Sequence, residues 1–205
     1  MVDVDKINRD LYENFEVDGS IKIDPSTGVV DVEGNIHLNY KMTHLPVTFG
    51  TVTGNFIVSN RGLTSLKGSP QTVGGSFACW QNPITSLEHA PLVAKEAVYT
   101  RDCLLTSLEH CPQTSELYTQ QNPLQSLKGL PDNLKIVGVT YNPDLGLLRL
   151  LQAQKIKIYS SDSYDRSDQI KCYQILNKYT GQGKPGALKA AAELIRAGLK
   201  GIARW

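Results

Sequence analysis

The sequence predicts a solenoid of short repeated turns, whose strands stack into one parallel sheet between two caps. The main observation is a phrase of two leucines three positions apart, followed by a proline, in residues 63–70. The phrase recurs at 84–91, with isoleucine for the first leucine, and at 105–112 and 124–131, so its prolines are 21, 21 and 19 residues apart. A second observation is a short apolar segment before each phrase. Because one such turn cannot bury its own apolar side, stability would come from stacked neighbours.

The segments before the phrases share one frame, L-x-L-x-x-N/C-x-L, with Phe, Val, Cys or Thr at some apolar positions. The copies are 56–63, 77–84, 98–105, 117–124 and a longer one at 134–142. This frame and period are typical of leucine-rich repeats. We therefore predict a leucine-rich-repeat solenoid (α+β) of about five turns, with a curved parallel sheet of about seven short strands. The prolines close each turn early, so few or no helices are expected on the convex side.

Each repeat is predicted to bury two strand residues, because successive side chains of a strand point to opposite faces. The interior pairs are then 56 and 58, 77 and 79, 98 and 100, 117 and 119, and 137 and 139. Where the chain bends off the sheet, a buried asparagine amide can satisfy inward-facing backbone groups. Stacking would place these side chains in one ladder, formed by Asn82, Cys103, Asn122 and Asn142.

Residues 1–40 are predicted to form an N-terminal cap, and residues 41–160 the repeats. The segment 4–15 is expected to be a short helix over the open end of the solenoid. Apolar and polar residues then alternate three times between 21 and 38, with a turn at 24–28. This pattern predicts a hairpin whose last strand begins the solenoid sheet.

Residues 161–205 are predicted to be a C-terminal cap of two helices, after a final edge strand at 155–159. The first helix is expected near 167–179 with Ser167 as its N-cap, and the second from Pro185. In the second helix a continuous apolar stripe is predicted to seal the last repeat. Its members are Leu188, Ala191, Ala192, Ile195 and Leu199.

The composition is ordinary for a globular protein, with 40% hydrophobic and 20% charged residues and a formal charge of +1. No global field therefore favours nucleic acid or a membrane. The acidic N-terminus lacks the apolar run of a signal peptide, and no stretch approaches the roughly 18 apolar residues of a spanning helix. The four cysteines show no CxxC pairing and are expected to be free thiols, with no cofactor, metal or catalytic constellation.

The phrase Leu-Thr-Ser-Leu-x-Gly-x-Pro, preceded by a strand and a glycine pair such as Gly74-Gly75, resembles small leucine-rich-repeat proteins encoded by tailed bacteriophages. The segment 175–205 is similar to their C-terminal region, so the resemblance covers roughly residues 29–205. It implies a protein that acts in the host bacterial cytoplasm or is carried in the virion.

A second resemblance, carried by residues 130–134, is to the short LPxLPxxL repeats of secreted bacterial effectors. Those effectors join their repeats to a large ubiquitin-ligase domain. Only 46 residues follow the last expected strand, which is too few for such a domain. No ligase chemistry is therefore expected at Cys172.

The solvent-facing strand residues form the predicted binding surface on the concave face. Neighbouring strands lie about 4.8 Å apart, so side chains on adjacent turns would make one patch. Aromatic residues and arginine dominate the energetics of protein interfaces. We therefore predict a non-enzymatic module that binds a host or phage protein. The contact residues would be Trp80, Tyr99, Arg101, Tyr118, Gln120 and Tyr141.

Two other functions stay open. One is a structural component of a virus particle, with the caps as assembly contacts. The other is binding of nucleic acid, because lysine and arginine of the last helix can neutralise phosphates. The basic residues concerned are Lys184, Lys189, Arg196, Lys200 and Arg204.

His89 and His110 occupy equivalent positions one turn apart, each after a glutamate. Two imidazoles and two carboxylates could bind zinc, but the spacing is not that of a closed four-ligand site. Gly68 and Gly129 take the same position in the other repeats. This indicates a solvent-facing turn, and no metal site is predicted.

Overall fold

The structure, a computed structural model, describes residues 2–205. It is a parallel β-solenoid of about six turns with few helices, followed by two C-terminal helices. The prediction of a solenoid followed by a pair of C-terminal helices is therefore confirmed.

The N-terminal cap is a helix followed by a hairpin. Helix α1 (Val4–Asn14) begins after Asp3, whose carboxylate accepts a hydrogen bond from the Lys6 backbone N–H at 2.9 Å. Strands β1 (Phe15–Ile23) and β2 (Val30–Leu38) then pair antiparallel in continuous register. The second strand starts the parallel sheet, as the alternating pattern predicted.

Two rows of parallel strands grow from β2. Its second half pairs with the main row, which runs β2, β4 (Phe56–Ile57), β6 (Phe77–Ala78), β8 (Ala97–Tyr99), β9 (Glu116–Tyr118), β10 (Ile136–Thr140) and β11 (Lys155–Tyr159). These are the seven strands expected from the repeats. The first half of β2 pairs with an additional short row, formed by β3 (Phe49–Val52), β5 (Thr72–Val73) and β7 (Val93–Ala94). The sequence pattern did not reveal the short row.

The core lies between the strands and the repeated phrases. All ten residues of the predicted interior pairs are buried, including the polar side chains of Thr100 and Thr119. At the N-terminal end the core contains a ladder of phenylalanine rings with centroids 5.3, 5.3 and 6.1 Å apart. Its members are Phe15, Phe49, Phe56 and Phe77. The ladder ties the hairpin to the first two repeats.

A row of asparagine side chains supports the bend between the two rows of strands. The side-chain oxygen of Asn35 accepts the Asn55 backbone N–H at 2.8 Å, and that of Asn55 accepts the Ser76 N–H at 2.7 Å. Each amide lies over a glycine of the following turn, Gly54 or Gly75, where an added Cβ would overlap with the amide oxygen. We call Asn35, Asn55 and Ser76 the bend ladder.

The C-terminal cap contains a 3₁₀ helix (Leu148–Gln152) before β11, then α2 (Arg166–Tyr179) and α3 (Gly183–Arg196). The predicted range of α2, near 167–179, is confirmed to within one residue, but its predicted N-cap and the predicted start of α3 were wrong. The N-cap of α2 is Asp165, whose carboxylate accepts the Ser167 N–H at 2.7 Å, because a carboxylate is a stronger acceptor than the Ser167 hydroxyl. Helix α3 starts two residues before Pro185, so that proline falls in the first turn, where its missing N–H costs nothing.

The predicted sealing stripe of α3 was also mostly wrong: Leu199 is buried beyond the end of the helix and Ala191 packs partly against the core. The face turned towards α2 and the 3₁₀ helix consists of Gly186, Ala187, Ala190 and Leu194. These mostly small residues allow close packing of helices. Leu188 and Ile195 are left exposed.

No helix within residues 2–205 has the length and apolar character needed to cross a membrane.

Candidate functional site

Two of the three predicted contact tyrosines lie on adjacent strands in register. Tyr99 on β8 is opposite Tyr118 on β9, and their rings stack with centroids 5.1 Å apart and planes 6° apart. The next residue across is Gly138 on β10, followed by Lys157 on β11. Because Gly138 has no side chain, the Lys157 ammonium reaches within 5.0 Å of the Tyr118 ring centroid. The sequence predicted that the two tyrosines lie in one patch, but neither the stacking of their rings nor the contact with Lys157.

Trp80 and Arg101 form a second pair, two residues beyond the tyrosine column. The guanidinium carbon of Arg101 lies 4.6 Å from the centre of the Trp80 ring. Such a cation–π contact holds both side chains in place without neutralising the cation. The turns carrying them are joined by a hydrogen bond of 3.0 Å, which the Gln81 N–H donates to the Arg101 carbonyl.

The residues after this pair turn the chain off the sheet in the left-handed region of backbone space. The positions are equivalent in four turns, with φ between 53° and 59° at Asn60, Gln81, Asp102 and Gln121. Asparagine and aspartate tolerate this conformation better than most residues. His89 and His110 adopt it at a different turn, with φ of 66° and 64°. Gly68 and Gly129 are left-handed at the corresponding positions, which explains the alternation of glycine and histidine there.

A recess of about 530 Å³ opens beside Tyr99 and the Trp80–Arg101 pair. Ala78, the residue of β6 in register with Tyr99, has a small side chain and lines the recess. The recess is also lined by Trp80, Tyr99, Arg101 and Gln120. The side-chain oxygen of Gln120 is buried and accepts no hydrogen bond from residues 2–205. The recess therefore combines apolar walls with an arginine, an unused amide oxygen and the polar residues Asn55, Ser76 and Glu96. We call Trp80, Tyr99, Arg101, Tyr118 and Gln120 the aromatic patch.

The Tyr118 hydroxyl joins two charged groups at the edge of the aromatic patch. It donates to the Glu116 carboxylate at 2.9 Å, and the Lys157 ammonium lies 3.5 Å from it. Desolvation, with the Glu116 carboxylate as the second cause, raises the pKa of Tyr118 to about 12. The phenol is therefore neutral at physiological pH and acts as a hydrogen-bond donor.

Tyr141 does not belong to the exposed surface, and its predicted contact role was wrong. It is 2% exposed, and its ring packs edge-to-face on Tyr164 at 5.7 Å, in the loop before α2. The equivalent residues of four earlier turns have a positive φ, whereas Tyr141 does not. Its side chain is therefore directed inward, and burial raises its pKa to about 12.

The predicted asparagine ladder at the bends is built most completely around Asn82. Its side-chain oxygen accepts three backbone N–H groups of the previous turn, from Arg61, Gly62 and Leu63, at 2.9–3.0 Å. Its amide nitrogen donates to the carbonyls of Val58 and Cys79 at 2.8 and 2.9 Å. One side chain thus satisfies five backbone groups. We call Asn82, Cys103, Asn122 and Asn142 the turn ladder.

The other members of the turn ladder accept fewer backbone N–H groups than Asn82 does. Cys103 donates from its thiol to the Cys79 carbonyl at 3.4 Å. Asn122 accepts the Leu105 N–H at 3.1 Å and donates to Thr100. Asn142 accepts only the N–H of Asp144, two residues further on. The previous turn offers Cys103 fewer donors, because Pro83 has no N–H.

All four cysteines are buried. A side-chain hydrogen bond with Cys103, together with burial, raises the pKa of the Cys79 thiol well above its ordinary value. Burial alone raises the pKa of Cys111 and Cys172 to about 12. The thiols of Cys79, Cys111 and Cys172 are therefore protonated and weakly nucleophilic, whereas the side-chain hydrogen bond with Cys79 lowers the pKa of the Cys103 thiol. Within residues 2–205, no group of three or more His, Cys, Asp or Glu side chains is arranged to hold a metal ion.

The basic residues proposed for nucleic acid fall into two groups. Lys184, Lys189, Arg196 and Lys200 are exposed on α3 and just after it. Arg204, in contrast, donates to the carbonyls of Gly201 and Asp144 at 2.8 and 2.7 Å and so fixes the C-terminal segment.

We find no match for the chain among protein-family models, curated proteins or solved structures.

Proposed function

We propose that the chain is a non-enzymatic protein-binding module of the leucine-rich-repeat type, and that the aromatic patch contacts a host or phage protein. One observation carries this proposal. The Arg101 guanidinium is held on the Trp80 ring beside the recess, and no carboxylate within residues 2–205 forms an ion pair with it. A fixed cation among partly exposed aromatic rings is typical of the hot spots of interfaces.

The leucine-rich-repeat assignment is supported by the period and by the position of the turn ladder. The phrase recurs at intervals of 21, 21 and 19 residues, each copy following a strand of the main row. Its two aliphatic positions are buried in every copy. The turn ladder follows the strands at the position that the L-x-L-x-x-N/C-x-L frame gives to Asn or Cys.

A phage origin is part of the proposal and rests on the resemblance of the repeated phrase and of residues 175–205. The protein would then act in the host cytoplasm or as a component of the virion. Mass spectrometry of purified particles of the encoding phage separates these two sites of action. Copies present in every particle would favour the structural role, whereas detection only in the infected-cell lysate would favour the binding role.

The binding proposal is tested by affinity capture with single variants. Trp80→Ala and Tyr118→Ala should each lose a host or phage protein that the native chain captures, while still unfolding cooperatively. Leu104→Ala is the matched control, since Leu104 is also an exposed apolar residue but lies outside the aromatic patch. Equal capture by the two patch variants and the native chain would show that the aromatic patch is not the contact surface.

A further inference from the structure

The two ends of the solenoid carry opposite charge, although the whole chain is almost neutral. Residues 1–40 contain nine Asp and Glu but three Lys and Arg, a formal charge of −6. Residues 155–205 contain ten Lys and Arg but four Asp and Glu, a formal charge of +6. The strand order places β1 beyond β2 at one end of the main row and β11 at the other. Charge is therefore polarised along the row.

The acidic end also exposes apolar surface. Tyr12 on α1 is 90% exposed, and Ile21 on β1 is exposed as well. Both lie at a groove of about 510 Å³, which Leu11, Phe15 and Val17 also line. Exposed apolar surface beside charged groups marks a site of interaction.

The basic end has a matching apolar groove of about 620 Å³. It lies between α3 and the C-terminal segment, and Leu188 and Trp205, which are 66% and 67% exposed, form two of its walls. Lys184 lines the same groove. Leu188 of the predicted apolar stripe thus faces outward, next to the Lys184 side chain.

We propose that a second copy of this chain occupies these surfaces, with the acidic N-terminal end of one copy docked on the basic C-terminal end of the next. Charge complementarity selects this occupant, because the two ends of one chain have charges of equal size and opposite sign. Two identical ends would repel each other. The contact is therefore heterologous, and such contacts extend into open chains unless their geometry closes a ring.

The charged groups needed for this contact are available. Glu13 and Glu16 are exposed on the acidic end, and Lys184 and Lys189 are exposed on the basic end. In the part of the chain that the structure describes, none of the four forms an ion pair. Screening reduces attraction between exposed charges beyond about 8 Å at physiological ionic strength, so the association should weaken as salt is added.

Sedimentation velocity of the full chain tests the proposal. At low salt the mean sedimentation coefficient should rise continuously with protein concentration, and at high salt it should fall towards the monomer value. A monomer at every concentration in low salt would overturn the proposal. A single discrete dimer would also overturn it, since the two ends lie at opposite ends of the row and two copies cannot join both pairs of ends.

Charge-reversed variants make the test specific. Glu13→Lys with Glu16→Lys reverses two charges at the acidic end, and Lys184→Glu with Lys189→Glu reverses two charges at the basic end. Each double variant alone should lose association by about tenfold or more. An equimolar mixture of the two should regain it, because each then offers the surface that the other needs. A mixture as monomeric as its components would contradict a direct contact between these surfaces.

The control matched to the basic-end variant is Lys67→Glu with Lys95→Glu, which makes the same charge change on exposed residues between the two ends. This control should associate like the native chain. An equal loss of association in the control would show that the net charge of the chain, and not the position of the charges, causes the loss. Trp80→Ala should also associate normally, because Trp80 follows β6 in the middle of the main row and belongs to neither end. Failure of the end contact and failure of the proposed function can therefore be distinguished.

Discussion

The bend ladder and the turn ladder solve the same problem with different consequences for the sequence. Both place amide side chains where the chain leaves a strand and backbone N–H groups face the interior. In the bend ladder Asn55 accepts one N–H, from Ser76, and lies so close to the next turn that Gly75 is required there. In the turn ladder Asn82 accepts three N–H groups and donates to two carbonyls.

The difference shows how a ladder ends. The bend ladder stops at Ser76, whose short side chain leaves room for a Cβ, and the position equivalent to Gly75 in the next turn is Glu96. The Glu96 N–H still donates to the Gly75 carbonyl at 3.2 Å. A ladder of one hydrogen bond per turn can therefore be lost without loss of the stack, whereas a side chain that satisfies five groups cannot be replaced cheaply.

The largest expected effect is that of Asn82→Ala. The substitution leaves five buried or partly buried backbone groups without partners, and each such group costs about 1–3 kcal/mol when it cannot reach water. Because partial relaxation is expected, we predict a loss of about 3–5 kcal/mol in the free energy of unfolding. Urea denaturation followed by circular dichroism measures it.

Asn142→Ala is the control for this prediction. Asn142 is half-buried and makes one hydrogen bond to Leu124 and one from Asp144, so its loss should cost about 1 kcal/mol. Equal losses for the two variants would remove the distinction between a full and a partial member of the turn ladder.

The next effect is that of Gly75→Ala, with an expected loss of about 1–3 kcal/mol from overpacking against Asn55. The cause is testable by a double-mutant cycle with Asn55→Ser, which shortens the side chain over the glycine. If the clash is the cause, Gly75→Ala should cost much less in the Asn55→Ser background. Additive losses would instead point to the backbone of the bend.

The repeat register could be predicted from the sequence because it recurs in five copies. Every interior pair and the central part of the turn ladder follow from that register alone. The bend ladder was missed because its signal, Gly-Asn at 34–35 and 54–55 and Gly-Ser at 75–76, occurs in only three turns. The first of these copies lies inside the hairpin, outside the repeat frame.

Side-chain direction was harder to predict than register. The repeat register placed Tyr141 on the exposed face. Whether the side chain at this position points outward depends on a left-handed backbone conformation of that residue, and a tyrosine in the sequence does not indicate one. In α3, two stripes have helical spacing, and the more apolar one, with Leu188 and Ile195, is exposed. The buried stripe contains Ala187 and Ala190, because small side chains let α3 approach its neighbours closely.

A smaller effect is expected at Cys103, the weakest member of the turn ladder. Cys103→Asn alone should change the free energy of unfolding by less than about 1 kcal/mol, because Pro83 offers no N–H to the new amide oxygen. Adding Pro83→Ala supplies that donor. The double variant should exceed the sum of the single variants by about 1 kcal/mol in urea denaturation. A large gain from Cys103→Asn alone would show that the missing donor is not the reason for the cysteine.

The smallest effect concerns Asp24, the solvent-exposed counterpart of these ladders in the turn of the hairpin. Its carboxylate accepts hydrogen bonds from the Ser26 hydroxyl and N–H at 2.6 and 2.8 Å, and these lower its pKa to about 2. Because the pKa of an unfolded aspartate is about 3.9, the contribution to stability is present above about pH 4 and is lost as the pH falls through about 2. Asp24→Asn should therefore flatten the stability profile in this window only.

An NMR titration of the Asp24 carboxyl in the folded chain checks the premise directly, and an ordinary pKa near 4 would contradict it. Ser26→Ala provides the matched perturbation, since it removes the hydroxyl donor while keeping the backbone N–H. It should raise the pKa of Asp24 part of the way to the unfolded value. The contribution of Asp24 to stability should thus depend on pH. The amide side chains of the two ladders do not titrate, so their contribution is lost only when a hydrogen-bond partner is removed.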